Sequence, residues 1–175
     1  MPSPYVALLR GINVGGHRRV PMADLRGLCE GLGFGEVATY IQSGNVVFTS
    51  DRSGEEVGRR LEAAIAERFG FAVAVVVRTR AELAAVAASH PFAGRQTDPA
   101  KLHVVFFEKP PPPEAVAALK AADTSPDEVA VDGREAFVHY PNGAGRSKLN
   151  LDALGEGTAR NWRTVAKLLE LPGAK

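Results

Sequence analysis

Between Tyr5 and Arg78 the apolar pattern switches between a period of two and a period of about 3.6 in one order: strand, helix, strand, strand, helix, strand. Few folds accept that order. Tyr5–Arg10 is a short apolar run. After the loop Gly11–Val20, Pro21 suits a first helical position, and Met22, Leu25, Leu28 and Leu32 recur on one helical face until Gly33. Val37, Thr39 and Ile41 alternate, Gln42-Ser-Gly-Asn45 reads as a turn, and Val46–Thr49 returns as a second hairpin strand. Ser53 with Glu56 has capping-box spacing, and Val57, Leu61 and Ile65 carry a second helical face. Ala72–Val77 is a valine-rich buried strand. The order β-α-β-β-α-β is that of the split β-α-β, or ferredoxin-like, unit.

A second unit repeats the pattern without repeating the residues. Thr79 and Glu82 open a helix through about Ser89, and His90-Pro-Phe with the polar stretch to Pro99 reads as a linker. Leu102–Phe107 is a strand and Glu114–Ala122 a helix. Glu128–Val131 and Glu135–Tyr140 flank Asp132-Gly133, a hairpin signal. A glycine-rich loop, Pro141–Lys148, leads to a last helix from about Asn161 to Leu171, stopped by Pro172-Gly173. The fold expectation is α+β, with two ferredoxin-like subdomains, the second lacking its last strand. The boundaries are residues 1–79 for the first subdomain, 80–100 for a connector helix and linker, and 101–175 for the second. A missing strand leaves a sheet edge, which either another element covers or a second copy pairs with to form a homodimer.

Composition narrows the class. The chain has 175 residues, 45% of them apolar and 23% charged, enough for packed cores. Its 21 Lys+Arg against 20 Asp+Glu disfavour a general polyanion binder, so nucleic acid is the less favoured partner. One cysteine excludes a disulfide framework. No apolar run approaches a membrane span and the N-terminus carries no signal pattern, so a cytoplasmic protein with no membrane partner is expected.

Candidate chemistry sits in the loops. Gly11 and Gly16 have Walker A spacing, but His17 and Arg18 replace the Lys and Ser/Thr, which excludes a P-loop. What survives is an anion loop of Arg10, Asn13, Gly15 and Gly16 before a helix N-terminus, with an ordinary turn as the competing reading. In a split unit, strands one and two run the same way. Gln42, Ser43 and Asn45 therefore emerge beside that loop. The second cluster is Asn142, Gly145, Arg146, Ser147 and Lys148, which Arg160 and Asn161 would join at the same sheet end; Asn161 reads equally as a helix N-cap. These clusters point to a phosphate-bearing small ligand or nucleotide. The four histidines show no ligand spacing, Cys29 falls beside an apolar face, and neither a metal nor a cofactor is implied. Trp162 reads as core more readily than as a stacking platform.

The stretches LLRGINVGG (8–16), VPMADLR (20–26), TYIQSGNVVF (39–48), HPF (90–92), YPNGAGRSKL (140–149) and TARNW-x-TV (158–165) resemble the bacterial family catalogued as domain of unknown function 1697. The resemblance implies two ferredoxin-like subdomains and no assigned activity. The chain departs from the family's pattern at His17, where Lys is common, at Ala159, where Thr is common, and in a shorter segment between Leu149 and Thr158. The first unit is also similar to acylphosphatases, with Arg10 as anion holder and Asn45 as water-orienting group, although the loop motif differs. Three alternatives stand beside small-ligand binding: an acyl or phosphoryl hydrolase, a nucleic-acid module, and a protein-interaction module using the open edge.

Overall fold

A computed structural model describes residues 2–94 and 98–171. Both Arg95–Thr97, within the linker stretch, and the stop at Pro172-Gly173 lie outside the described residues. The chain forms two compact units: one runs to Ala85 and takes the chain back at Lys167, and the other is Val86–Ala166.

The first unit contains β1 (Ser3–Leu9), α1 (Met22–Gly31), β2 (Gly35–Tyr40), β3 (Asn45–Ser50), α2 (Gly54–Phe69) and β4 (Val75–Thr79), followed by α3 (Arg80–Ala88), whose last turn crosses into the second. Its sheet order is β2-β3-β1-β4, antiparallel throughout, as a ferredoxin-like unit requires. The period-two pattern of β1 sends Tyr5, Ala7 and Leu9 toward Leu25, Cys29, Val57, Leu61 and Ile65 of the two helices. Val6 and Leu8, on the opposite face, are buried too. The Ser53 hydroxyl accepts from the Glu56 N–H at 3.2 Å and so starts α2, while Gly70, at φ 81°, ends it. At α3 the capping box is reciprocal. The Glu82 N–H donates to Thr79 Oγ1, and the Thr79 N–H donates to Glu82 Oε1.

The second unit holds β5 (Leu102–Phe107), α4 (Pro113–Ala121), β6 (Glu128–Asp132), β7 (Glu135–His139) and β8 (Gly157–Asn161), and then α5 (Trp162–Glu170), which ends in the first unit. The sheet order, β6-β7-β5-β8, is the same as in the first unit. This corrects one expectation. The last strand is present, β8 pairs antiparallel with β5, and the edge that its absence would have left does not exist. What the unit lacks is the helix between its third and fourth strands. Residues 141–156 include Pro141, Gly143, Gly145 and Gly155 and form only two 3-10 turns, Ala144–Arg146 and Asp152–Leu154. Leu149, Leu151 and Leu154 from this segment pack with α4 residues Val116 and Leu119 against Val105, Phe107, Ala136 and Val138, covering the sheet face that a helix would have covered.

Strand β8 is hard to see in the sequence because its buried face is polar. Thr158 and Arg160 are buried, while Ala159 between them is exposed. The Arg160 guanidinium donates to Thr158 Oγ1 at 2.7 Å and to the Ala159 carbonyl at 2.9 Å, and burial pushes its pKa down to about 10. Glycine at 157 is required by close approach. A Cβ there would come within 2.6 Å of Val105 Cγ1 and 2.8 Å of Phe107 Cε1.

Candidate functional site

In the first unit, the loop after β1 and the turn after β2 meet at one end of the sheet. The Leu9 N–H donates to the Gly44 carbonyl at 2.9 Å, so the end of β1 is tied to the last residue of the turn. Asn13 is the staple between them. Its amide donates to the Val20 carbonyl at 2.9 Å and to the Gln42 carbonyl at 2.8 Å, while its oxygen accepts from the Val20 N–H at 2.8 Å. Both donors of the Asn13 side chain are therefore consumed in holding the loop. Asn45 is fully buried and donates to the Tyr40 carbonyl at 2.8 Å and to Ser43 Oγ at 3.0 Å. That leaves no N–H of Asn45 to orient a water molecule, as the acylphosphatase comparison would need. Gly15 and Gly16 carry φ of 60° and 79° and form the tip of a tight turn closed by the His17 N–H donating to the Val14 carbonyl. Arg18 is anchored, donating to the Ala72 carbonyl and lying 5.4 Å above the centre of the Phe71 ring. Arg10 and Arg19 are exposed.

A cleft of about 450 Å³ opens in the second unit between the α4–β6 connection and the glycine-rich loop. One wall is Leu119 and Ala122–Asp127; the other is Asn142, Gly143 and Arg146–Asn150. Asp127 holds the walls together. It is buried, and its Oδ2 accepts from the Ser147 hydroxyl at 2.6 Å; the same hydroxyl accepts from the Leu149 N–H at 3.0 Å. On its own side, the Asp127 N–H donates to the Thr124 carbonyl and its carbonyl accepts from Thr124 Oγ1. Asp123 accepts from the Ser125 N–H at 3.0 Å, and that hydrogen bond holds its carboxyl below the usual carboxylate range. Burial, reinforced by the charge of Asp127, pushes the Tyr140 phenol upward. Arg146 and Lys148 are exposed on the cleft wall, and among the described residues neither side chain is drawn into an ion pair or hydrogen bond.

Five of the residues singled out in the second cluster thus fall into two places. Asn142, Arg146, Ser147 and Lys148 line the cleft, while Gly145 lies on the turn beside them. Arg160 and Asn161 share the sheet end, since Asn161 pairs with His103 and His139 with Leu102, but they do not line the cleft. Arg160 is buried in β8, and Asn161 Oδ1 accepts from the Thr164 N–H at 2.9 Å as the cap of α5. Sequence reasoning passed over the opposite wall. Asp123-Thr-Ser-Pro-Asp127 is a run of turn formers between helix and strand, and its acids read as solvated until the fold closes Ser147 onto Asp127.

The remaining candidates have structural roles. Cys29 is fully buried, and burial raises its thiol to about 12, which keeps it from acting as a nucleophile at neutral pH. Trp162 stands edge-on to His90, with ring centres 4.7 Å apart, and His90 also meets Phe137 at 5.0 Å. Among the described residues no group of three or more His, Cys, Asp or Glu could hold a metal ion, and no helix is long and apolar enough to cross a membrane.

With this geometry in place, comparison with known proteins adds family and fold. A family model described as "Protein of unknown function (DUF1697)" matches residues 3–137. The chain belongs to the DUF1697 family. Among solved structures, a conserved bacterial protein, SP0830 from Streptococcus pneumoniae, is similar to this DUF1697 chain with a TM-score of 0.78 and 25% identity, covering 98% of this chain and 99% of that one. No curated protein matches the sequence. The matched model ends at Phe137, before the glycine-rich loop, while the structural likeness extends over nearly the whole DUF1697 chain.

Proposed function

We propose that the second unit binds a small phosphate-bearing ligand of nucleotide size in the cleft between Asp123–Asp127 and Asn142–Asn150. One observation carries this. The cleft has two arginine or lysine side chains and two carboxylates, and the cations keep their donors open. Asp127 is engaged by Ser147 and Asp123 by the Ser125 N–H, whereas Arg146 and Lys148 have no side-chain partner among the described residues. A phosphate entering the cleft would therefore meet a guanidinium and an ammonium with open donors, which offset the standing charges of Asp123 and Asp127, and a guanidinium beside an ammonium suits a phosphate. The volume, about 450 Å³, lies in the range of small-molecule sites. Leu119, Ala122, Pro126 and Leu149 supply apolar wall for the rest of the ligand.

The test is a thermal-shift and calorimetry panel of nucleoside monophosphates and sugar phosphates, each beside its dephosphorylated counterpart. Only the phosphorylated member of a pair should raise the unfolding midpoint. Arg146→Ala and Lys148→Ala should each weaken binding by about tenfold, or ~1.4 kcal/mol, with the unliganded midpoint unchanged. Equal binding of both members of every pair would remove the assignment.

A further inference from the structure

The cleft of the second unit carries its two signs of charge on different walls. Asp123 and Asp127 belong to the α4–β6 wall, Arg146 and Lys148 to the loop wall, and these are all the charged residues of the lining. Their formal charges cancel. The two carboxylates differ in what they offer. Asp127 is buried, with Oδ2 turned to the Ser147 hydroxyl. Asp123 is exposed, and among the described residues no cationic side chain pairs with it. Its Oδ1 accepts from the Ser125 N–H at 3.0 Å, which keeps the carboxyl ionised at neutral pH and leaves it acceptor capacity.

The same wall has a second source of negative potential. Helix α4 ends on it: Ala122, the residue that caps the helix, lines the cleft, and its N–H donates to the Ala118 and Leu119 carbonyls. The carbonyl end of a helix favours a cation. Lys120, in the last turn of α4, is exposed but does not line the cleft. A phosphate alone would use Arg146 and Lys148 and leave the Asp123 wall facing an anion. A ligand with a charge of each sign complements both walls, and turning it end for end would set like charges together, so the pattern also fixes its orientation.

We propose that the ligand of this cleft is a phosphate monoester whose carbon skeleton also bears a protonated amine, with the phosphate on Arg146 and Lys148 and the ammonium on Asp123 at the end of α4. This rests on the phosphate reading above and narrows it. The ammonium brings donors only and the carboxylate acceptors only, so each end of the ligand makes charge-assisted hydrogen bonds. Leu119, Pro126 and Leu149 in the lining suit the carbon skeleton that joins the two ends.

Calorimetry on the whole protein with matched pairs tests this: O-phosphoethanolamine against ethyl phosphate, and glucosamine 6-phosphate against glucose 6-phosphate. The amine-bearing member should bind about tenfold tighter in each pair. N-acetylglucosamine 6-phosphate, whose nitrogen is neutral, should bind no tighter than glucose 6-phosphate. Asp123→Asn keeps an acceptor for the Ser125 N–H and removes the charge. It should abolish the preference for the amine while the amine-free member binds as tightly as to the wild type or more so, with the unliganded midpoint unchanged. Arg146→Ala should weaken both members of a pair alike. Equal binding within both pairs overturns the proposal and leaves the phosphate reading standing. An equal loss of both members in Asp123→Asn overturns it too, because Asp123 would then only shape the wall. If no phosphate binds, or if ethanolamine binds as tightly as O-phosphoethanolamine, the phosphate reading falls and this proposal with it.

Discussion

Ile41 and Gly44, three residues apart in one turn, place opposite demands on side chains. Both have positive φ, 52° and 89°. At Ile41 the side chain is exposed, so only backbone strain distinguishes isoleucine from a residue that accepts this region. Ile41→Asn should therefore stabilise the protein by about 1 kcal/mol. At Gly44 the space is closed as well. A Cβ would stand 2.7 Å from Ile12 Cδ1 and 2.9 Å from Leu9 Cβ, both on buried residues. Gly44→Ala adds overpacking to strain and should destabilise by about 3 kcal/mol. Urea unfolding followed by circular dichroism should move the midpoint up for the first and down for the second. A fall for Ile41→Asn would mean that the isoleucine side chain contributes to packing after all. The sequence suggests a turn at 42–45 but not that Ile41 belongs to it, because Val37, Thr39 and Ile41 alternate like a strand.

At the scale of elements, the pair β8–α5 shows what the sequence could and could not reveal. Seven of the eight strands among the described residues carry an apolar face, and their order is legible from period alone. In β8 the inward positions are Thr158 and Arg160 and the outward one is Ala159, so the usual signal is inverted. The pairing partners of Arg160 are its own neighbours, Thr158 and the Ala159 carbonyl, and only the folded strand brings them together. The same blindness affected the site. Arg146 and Lys148 stood out as cations on a glycine-rich loop, but Asp127, twenty residues earlier, gains meaning only from its bond to Ser147. Asn161 was open to two readings, as ligand donor or helix cap. The accepted hydrogen bond from the Thr164 N–H supports the cap. Asn161→Ala should thus lower stability by about 1 kcal/mol and Asn161→Asp should restore most of it, with phosphate-ligand affinity unchanged in both. Loss of affinity at constant stability would return Asn161 to the ligand.

For the whole molecule, the measurable consequence is how stability depends on pH. His90 is buried among Phe92, Phe137 and Trp162. Burial pushes its pKa below the ordinary 6.5, the His103 carbonyl partly offsets this, and the charges of His139 and His103 act with burial. Burial lowers His103 as well, beside the Tyr140 ring at 5.1 Å. His139 faces Glu128, 3.0 Å away. A histidine whose pKa is lower in the folded state is neutral there while the unfolded chain already binds a proton. Its contribution is whole above about 6.5 and is lost as pH falls from there toward the folded value, with a slope of at most about 1.4 kcal/mol per pH unit for each such group. Wild-type unfolding free energy should therefore decline between about pH 7 and pH 5. His90→Phe keeps an aromatic ring among aromatic neighbours and removes one titration, so its decline should be shallower. Adding His103→Gln should flatten it further. An undiminished slope in the double variant would show that neither of these two histidines carries the pH dependence.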